Sequence, residues 1–185
     1  MLTDAPILES ERLRLRSLLL EDAPLIYEYM RDSEIAANTL NIPYPYPEGA
    51  AEEWIQAANE ANRDGKGFTF ALVLKASHTF IGSIGLGVEH IHQRAEVGYW
   101  IGKAYWGQGY VTEAVRRLIA FGFDDLKLNR IHARYFDRNP ASGRVMQKAG
   151  MTYEGTLRAH YLKWGDFLDA HLYAILRKDY EARRS

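Results

Sequence analysis

The residues Glu96-Val-Gly-Tyr-Trp-Ile-Gly-Lys-Ala-Tyr-Trp-Gly-Gln-Gly-Tyr-Val-Thr-Glu-Ala114 decide the fold of this chain of 185 residues. They predict a strand, a short loop with Gly107 and Gly109, and an amphipathic helix over residues 110–126. The first N–H groups of a helix have no partner within it, and the helix dipole places partial positive charge there. Glycine lets a phosphate approach the backbone where a Cβ would block it. The stretch therefore predicts an anion cradle at residues 107–112.

Two common phosphate motifs do not match this stretch. A Walker A loop has Gly-Lys followed by Ser or Thr after four spacer residues, and the chain has no such string. A Rossmann fingerprint has a third glycine where Thr112 stands and an acidic residue near the position of Asn129. A glycine turn that only begins a helix remains the alternative to a phosphate site.

Hydrophobic periodicity predicts a mixed α/β (α+β) domain. Strands are predicted at residues 13–16, 69–75, 79–90, 94–101, 130–136, 151–162 and 167–176. Helices are predicted from a cap at Asp22 to Met30, then at residues 48–64, 110–126 and 140–149. Three prolines within residues 41–47 predict a stiff aromatic loop, because proline fixes φ and removes a backbone donor.

Composition excludes several classes of protein. The chain contains no cysteine, which removes disulfide scaffolds, thiolate zinc sites, iron–sulfur clusters and cysteine nucleophiles. The formal net charge of −1 argues against a dedicated nucleic-acid binder. No apolar run approaches the ~18 residues of a membrane span, and the first residues lack the features of a signal peptide. We therefore expect one cytoplasmic domain over residues 1–185 that acts on neither nucleic acid nor membrane.

Charge is unevenly distributed along the chain. Residues 1–64 carry 13 acidic and 5 basic side chains, whereas residues 65–185 carry 11 acidic and 18 basic ones. The basic part suits a polyanionic ligand and the acidic part a cationic one, although a chance distribution of surface charge explains the same numbers. No metal site is expected, because His90 and His92 share a strand without a third ligand.

Two separated motifs resemble a known family. Glu96 to Ala114, taken with Asn139-Pro-Ala-Ser-Gly-Arg-Val-Met-Gln-Lys-Ala-Gly-Met151, is similar to the acetyl-CoA-binding core of GNAT-superfamily N-acetyltransferases. Residues 105–114, the Leu13-Arg-Leu-Arg16 start and the Pro/Tyr-rich loop before Trp54 resemble the RimJ/RimL-like branch, which acetylates protein N-termini. The resemblance covers nearly the whole chain. It implies the GNAT fold, with a mixed, mostly antiparallel sheet of about seven strands flanked by helices.

The resemblance implies acetyl-CoA as cosubstrate and assigns residues to it. A strand that splays from its neighbour after Ile101 would leave backbone groups to pair with the pantetheine amides, and Val111 stands where the family often has Gly or Ala. Asn139 would bond the pantetheine arm, and Ser142 would lie near the sulfur. The implied cofactor-binding residues are Trp100, Ile101, Gly107, Gln108, Gly109, Tyr110, Val111, Thr112, Asn139 and Ser142.

Acetyl transfer to an amine needs a base and a donor to the leaving thiolate. An α-amine has a pKa of about 8 and must lose a proton, so a carboxylate acting through water is useful. By the resemblance Glu96 is that base, although a structural ion pair with an arginine explains it equally well. Ser142 would donate to the sulfur, with helix capping as its alternative role. His160 stands where the branch often has a glutamate, and is a second candidate base or a structural histidine.

The acceptor is expected to be a protein N-terminal α-amine, as in the ribosomal-protein acetyltransferases of that branch. Tyr44, Tyr46 and Tyr161 are predicted to line the acceptor groove, with packing in the core or loops as the alternative. Polyamines, aminoglycosides or amino acids are the alternative acceptors, and a non-catalytic acyl-CoA-sensing module is the alternative function. Without cysteine, transfer is direct in a ternary complex. Monomer and homodimer are both open.

Overall fold

The computed structural model describes residues 5–184, and these form one eight-stranded sheet with helices on both faces. The strands are β1 (Leu8–Glu9), β2 (Leu13–Arg16), β3 (Gly67–Leu74), β4 (Phe80–Glu89), β5 (Arg94–Ile101), β6 (Arg130–Phe136), β7 (Thr152–Lys163) and β8 (Asp166–Leu176). The helices are α1 (Ala23–Met30), α2 (Ser33–Ala37), α3 (Ala50–Arg63), α4 (Tyr110–Asp124), α5 (Pro140–Lys148) and α6 (Arg177–Ala182). Residues 1–4 and 185 of the predicted domain lie outside the described residues.

The strand order is β1-β2-β3-β4-β5-β6-β8-β7. Only β5 and β6 are parallel neighbours within the described residues, because α4 provides the crossover that joins them. The predicted fold class, a mixed and mostly antiparallel sheet flanked by helices, is confirmed. The eighth strand is β1, whose two residues are too few for a period-2 pattern to reveal.

Strands β5 and β6 separate early, and this opens a gap in the sheet. Residues 94–96 of β5 face residues 130–132 of β6, with no later pair between these strands. On its other side β5 stays paired with β4 as far as Ile101, opposite Gly82. The predicted separation after Ile101 is therefore wrong. It begins after Glu96, the last residue of β5 that pairs with β6, whereas β6 continues to Phe136 paired with β8 on its other edge.

Alternating side chains on β5 face two different layers of helices. Val97 and Ile101 belong to the core cluster that contains the buried residues of α4. There Phe121 of α4 is fully buried, with ring edges against Phe68 and Phe70. Burying an aromatic ring of this kind contributes roughly 2–3 kcal/mol. The other face packs on α1 and α3, so the end of β5 is held rigidly from both sides.

The predicted helices differ from the structure in some details. Asp22 is the N-cap residue of α1 and the helix ends at Met30, as predicted, but the Asp22 side chain makes no capping hydrogen bond. The carboxylate instead accepts two hydrogen bonds of 2.7 Å from the guanidinium of Arg16 and one of 2.9 Å from the N–H of Leu19. Helices α2 and α6 were not predicted from the sequence, because they have only five and six residues and are too short for a helical period to be recognised. In residues 5–184 no helix is both long and apolar enough to cross a membrane.

Candidate active site

A cleft of about 300 Å³ lies where the end of β5 meets the first turns of α4 and α5, with residues of α2 and the following loop on its other wall. Nine of the ten predicted cofactor-binding residues line it: Trp100, Ile101, Gly107, Gly109, Tyr110, Val111, Thr112, Asn139 and Ser142. The exception is Gln108, whose side-chain amide donates to the carbonyl of Ala104 at 2.9 Å. The sequence-predicted residues therefore converge on one cleft.

The loop before α4 has the shape of an anion cradle. Gly107 and Gly109 have φ of 73° and 81°, in the left-handed region that favours glycine. A Cβ at Gly107 would meet no atom within 4 Å, so open space adjoins the backbone. Gly109 is the N-cap residue of α4 and has no side chain. No side-chain hydrogen bond therefore occupies the first N–H groups of the helix. These groups suit the diphosphate of a nucleotide cosubstrate.

Asn139 shapes the second helix start that borders the cleft. Its Oδ1 accepts from the N–H of Ser142 at 3.3 Å, and Pro140 occupies the first position of α5. Proline is favourable there because its missing N–H has no intrahelical partner to lose. Asn139 is thus the capping residue, and the hydroxyl of Ser142 is left for another contact.

That contact is with Tyr99, which the sequence analysis did not single out. The hydroxyls of Tyr99 and Ser142 lie 2.6 Å apart, and both side chains line the cleft. Burial raises the pKa of Tyr99 to about 12, against the opposing effect of the hydrogen bond to Ser142. Tyr99 therefore stays protonated at neutral pH. Strand alternation with Val97 and Ile101 was the available signal, because it turns Tyr99 toward α5.

The other two predicted catalytic residues meet on the opposite side of the sheet, around Arg134. Glu96 accepts hydrogen bonds of 2.8 and 2.5 Å from Arg134, and Nε2 of His160 lies 3.4 Å from Nη1 of the same guanidinium. The bonds to Glu96 raise the pKa of Arg134, so the guanidinium stays ionised. The alternative interpretation of Glu96, a carboxylate held by an arginine, is what the geometry displays. Neither Glu96 nor His160 lines the cleft that contains Ser142.

His132 adds a further ionisable group beside Glu96. It faces Glu96 in the last pair of β5 and β6, with Nε2 at 3.8 Å from the carboxylate. Burial is the largest influence on the pKa of His132 and lowers it, against the attraction of Glu96. The gap between the two strands thus begins beside a carboxylate, a guanidinium and an imidazole.

The three predicted acceptor-groove tyrosines do not lie together. Tyr161 packs against Phe136, with ring centroids 5.7 Å apart, and lies under the guanidinium of Arg134. Tyr46 packs with the helical layer of α1 and α3. Tyr44 is 47% exposed and contacts Trp164 at a centroid distance of 5.7 Å. None of the three lines the cleft described above, so the predicted grouping in one groove finds no support in the geometry.

A buried lysine fastens the loop that follows α2. Lys163, at the end of β7, is 6% exposed and donates hydrogen bonds to the carbonyls of Thr39 at 2.6 Å, Leu40 at 3.2 Å and Ile42 at 3.1 Å. Thr39 itself lines the cleft. The β7–β8 hairpin and one wall of the cleft are therefore mechanically joined. In residues 5–184 no group of three or more His, Asp or Glu side chains is arranged to hold a metal ion.

Comparison with known proteins gives the same assignment. Residues 12–152 match the family model of the acetyltransferase (GNAT) domain. An uncharacterized N-acetyltransferase, p20 of Bacillus licheniformis, is 33% identical over 174 residues, which cover 94% of this chain and 97% of that protein. The crystal structure of a GNAT-family acetyltransferase from Bacillus anthracis superimposes with a TM-score of 0.83 at 26% identity, covering 94% of this chain and 99% of that one.

A second structure shows the fold alone. The ribosomal L7/L12 α-N-protein acetyltransferase RimL, solved with coenzyme A, superimposes with a TM-score of 0.85 at 19% identity, covering 92% of this chain and 98% of that one. From the family match over residues 12–152 and the full-length relative, we conclude that this chain belongs to the GNAT family of N-acetyltransferases.

Proposed function

We propose that the chain transfers an acetyl group from acetyl-CoA to the α-amine of a protein N-terminus. The observation that carries the proposal is one cleft that unites an uncapped helix start with the hydroxyl pair of Tyr99 and Ser142. The helix start suits a diphosphate, and the hydroxyl pair suits a leaving thiolate. Both parts of a CoA thioester thus find matching chemistry in one place.

The cleft residues fit acetyl-CoA in their chemistry. The glycine loop accepts the diphosphate because the open space at Gly107 admits phosphate oxygens. Arg144 and Lys148 line the same cleft and supply positive charge for a further phosphate. Backbone groups of Trp100 and Ile101 border the gap beside β5, where pantetheine amides find hydrogen-bonding partners.

The reaction requires a proton to leave the amine and a proton or hydrogen bond to reach the sulfur. The amine nitrogen forms a bond to the thioester carbonyl carbon, the carbon–sulfur bond breaks, and the sulfur keeps that electron pair. Ser142 donates its hydroxyl hydrogen toward the sulfur, and Tyr99 donates in turn to Ser142. Either hydroxyl of the pair can donate to the other, and the protonated Tyr99 carries the hydrogen that this relay needs.

Glu96 is proposed to receive the amine proton through water. It is the last residue of β5 paired with β6, so its carboxylate stands where the gap opens. Each of its oxygens accepts one hydrogen bond from Arg134 and has a further lone pair for water. His160, whose Nε2 faces the same guanidinium, is the alternative base.

Two cations on the turn after β6 and on β7 favour an acceptor with a single amine. Arg138 lies near enough to Lys163 to lower its pKa, and neither side chain has a carboxylate partner within residues 5–184. Arg134, in contrast, is paired with Glu96. A polyamine would bring several positive charges toward these cations, whereas an N-terminal peptide brings one. RimL and the spermidine N-acetyltransferase of Vibrio cholerae both share the fold, and they represent the proposed acceptor class and its alternative.

The test is release of free thiol from acetyl-CoA, followed with a thiol reagent. The acceptors are peptides beginning with Ser, Ala or Met, then spermidine, an aminoglycoside and free amino acids. The chain has no cysteine, so the enzyme adds no background signal. We expect release with peptides only, whereas release with spermidine or an aminoglycoside alone would replace the proposed acceptor. Silence with all acceptors would contradict the proposed function.

A further inference from the structure

A cluster of hydrogen bonds joins the segment before β2 to the first turn of α4, far away in sequence. Glu113 of α4 accepts three of them, each 2.7 Å long. They come from the hydroxyl of Ser10, the backbone N–H of Arg12 and Nε of Arg12. Both carboxylate oxygens are used, and the Glu113 side chain is only 16% exposed. This contact fixes the Arg12 side chain in one orientation.

The guanidinium of Arg12 continues from Glu113 to the loop of the proposed diphosphate site. Its Nη1 donates to the carbonyl of Gln108 at 3.0 Å, and its Cζ lies 4.5 Å from the ring centroid of Tyr110. Its Nη2 is 3.5 Å from the place that a Cβ on Gly109 would occupy. One guanidinium therefore contacts three successive residues of the loop.

The contact with Gln108 has a directional consequence. In a trans peptide the carbonyl of one residue and the N–H of the next point in opposite directions. Because the Gln108 carbonyl is turned toward Arg12, the N–H of Gly109 is turned away from it. Gly109 lines the cleft, whereas Arg12 does not. Arg12 thus lies behind the loop and holds a backbone donor toward the other side.

The pair of Arg12 and Glu113 is ionised under ordinary conditions. Burial alone would raise the pKa of Glu113, but hydrogen bonds from the Arg12 N–H, Ser10 and the Arg12 guanidinium outweigh it and lower that pKa. A charge-assisted pair with a planar, five-donor guanidinium has a fixed geometry that a single ammonium group does not reproduce. The loop contains two left-handed glycines, which lose much conformational freedom when the loop is ordered. Holding the loop beforehand removes that loss from the binding step.

We propose that Arg12, oriented by Glu113, is a positioning residue that holds the Gly107–Gly109 loop ready for the diphosphate of CoA. The inference rests on the proposed use of acetyl-CoA and extends it to a residue outside the cleft. The effect of Arg12 should depend on the diphosphate of the ligand. It should be independent of the 3′-phosphate and of the acetyl group.

The experiment combines substitutions with shortened ligands. Dissociation constants for CoA and dephospho-CoA are measured by calorimetry on wild type, Arg12→Gln, Arg12→Lys and Glu113→Gln. The control is Arg14→Gln, because Arg14 lies two residues after Arg12, in β2, and bonds only to the exposed Glu9 within the described residues. The value of kcat/KM with S-acetylpantetheine, which lacks the diphosphate, is measured for the same set of proteins.

We expect Arg12→Gln to weaken binding of CoA and dephospho-CoA by about tenfold, the ratio that ~1.4 kcal/mol of lost hydrogen bonding produces. Activity with S-acetylpantetheine should be unchanged, and Arg14→Gln should resemble wild type in every measurement. Arg12→Lys should resemble Arg12→Gln, because one ammonium group does not reach both Glu113 and Gln108 in the guanidinium geometry. Glu113→Gln gives the same selective loss and replaces Arg12→Gln if that variant does not fold.

Three results would overturn the inference. One is unchanged CoA affinity in both Arg12→Gln and Glu113→Gln. Another is an equal loss with S-acetylpantetheine, which indicates general damage to the fold. The third is full CoA affinity in Arg12→Lys, which indicates that charge alone matters. Wild type that does not bind CoA would instead overturn the proposed function, so the two failures are distinguishable.

Discussion

The hydroxyl of Tyr99 lies 2.6 Å from Oγ of Ser142, although 43 residues separate them in the chain. The pair spans the junction of β5 and α5, next to the gap where β5 leaves β6. Burial keeps Tyr99 protonated. Either hydroxyl of the pair can be the donor, and when Tyr99 donates to Oγ of Ser142 the serine hydrogen is available for a second partner. This contact orients the hydroxyl of Ser142, although capping of α5 by Asn139 does not need that hydroxyl.

Substitution of the pair should show that Tyr99 acts through Ser142. Ser142→Ala should lower kcat by about a hundredfold, a typical contribution of a proton donor, with little change in the KM for acetyl-CoA. Tyr99→Phe should lower kcat by about tenfold, the effect of one lost hydrogen bond. The double variant should be no slower than Ser142→Ala, and losses that multiply would show that the two hydroxyls act independently.

The raised pKa of Tyr99 also predicts how stability changes with pH. Its pKa is about 12 in the fold against an ordinary value of 10.0, so its neutral form is favoured by folding. That stabilisation is fully present below pH 10 and is lost as the pH rises through 12. Denaturant unfolding of wild type at pH 9, 10 and 11 should show a falling free energy of unfolding. Tyr99→Phe should lose less over this range, whereas Tyr44→Phe, an exposed control, should follow wild type.

Glu96 is expected to be the base, in spite of its ion pair with Arg134. Glu96→Gln should lower kcat by about a hundredfold, with CoA binding retained. His160→Gln is the comparison, because its imidazole faces the same guanidinium. Full activity in Glu96→Gln with loss in His160→Gln would move the role of base to His160. Full activity in both variants would make the cluster around Arg134 purely structural.

The left-handed glycine of the cradle gives a prediction about binding. Gly107→Ala should cost about 1–2 kcal/mol of stability, because L residues are strained at its φ of 73°, and should raise the KM for acetyl-CoA. Gly49→Ala is the matched control, since Gly49 has φ of 80° and open space at its Cβ but lies at the start of α3. It should lose similar stability and keep the wild-type KM. An equal rise in the KM for acetyl-CoA in both variants would show that Gly107 has no specific role in binding acetyl-CoA.

Lys163 is expected to contribute to stability and to acceptor recognition. Lys163→Met should lower the free energy of unfolding by about 1–3 kcal/mol, because three carbonyls lose the buried ammonium group that donates to them. The KM for the acceptor peptide should rise, since the hairpin and the loop at residues 39–42 are no longer fastened together. Lys178→Met, at an exposed position of α6, is the control. An unchanged free energy of unfolding and an unchanged KM for the acceptor peptide in Lys163→Met would contradict both roles of Lys163.

The cofactor cleft was predictable because its signals are local. The loop glycines Gly107 and Gly109 directly precede the helix in sequence. Likewise, the adjacent residues Asn139 and Pro140 indicate the start of α5. Strand alternation likewise predicted β3 to β6 closely, because each strand is long enough to show a period of two. Elements shorter than two turns or three strand residues, such as α2 and β1, carry no such period.

The contacts that the sequence did not reveal join residues far apart. Arg134 lies 38 residues from Glu96, and Arg12 lies 101 residues from Glu113, so neither pair has a spacing that a motif records. The separation point of β5 and β6 was misplaced for a related reason. It depends on how far β5 and β6 run together in the assembled sheet, which the residues of β5 alone do not show.

Mass spectrometry of the acetylated product shows directly whether the acetyl group is transferred to an N-terminal α-amine. The acceptor is a peptide with an N-terminal serine and one internal lysine, incubated with acetyl-CoA, with spermidine as a competing acceptor. We predict one acetyl group on the α-amine for each thiol released, with the lysine side chain and spermidine unmodified. The Ser142→Ala variant should form much less of this product. Acetyl groups on spermidine or on the lysine side chain, with the α-amine free, would contradict it.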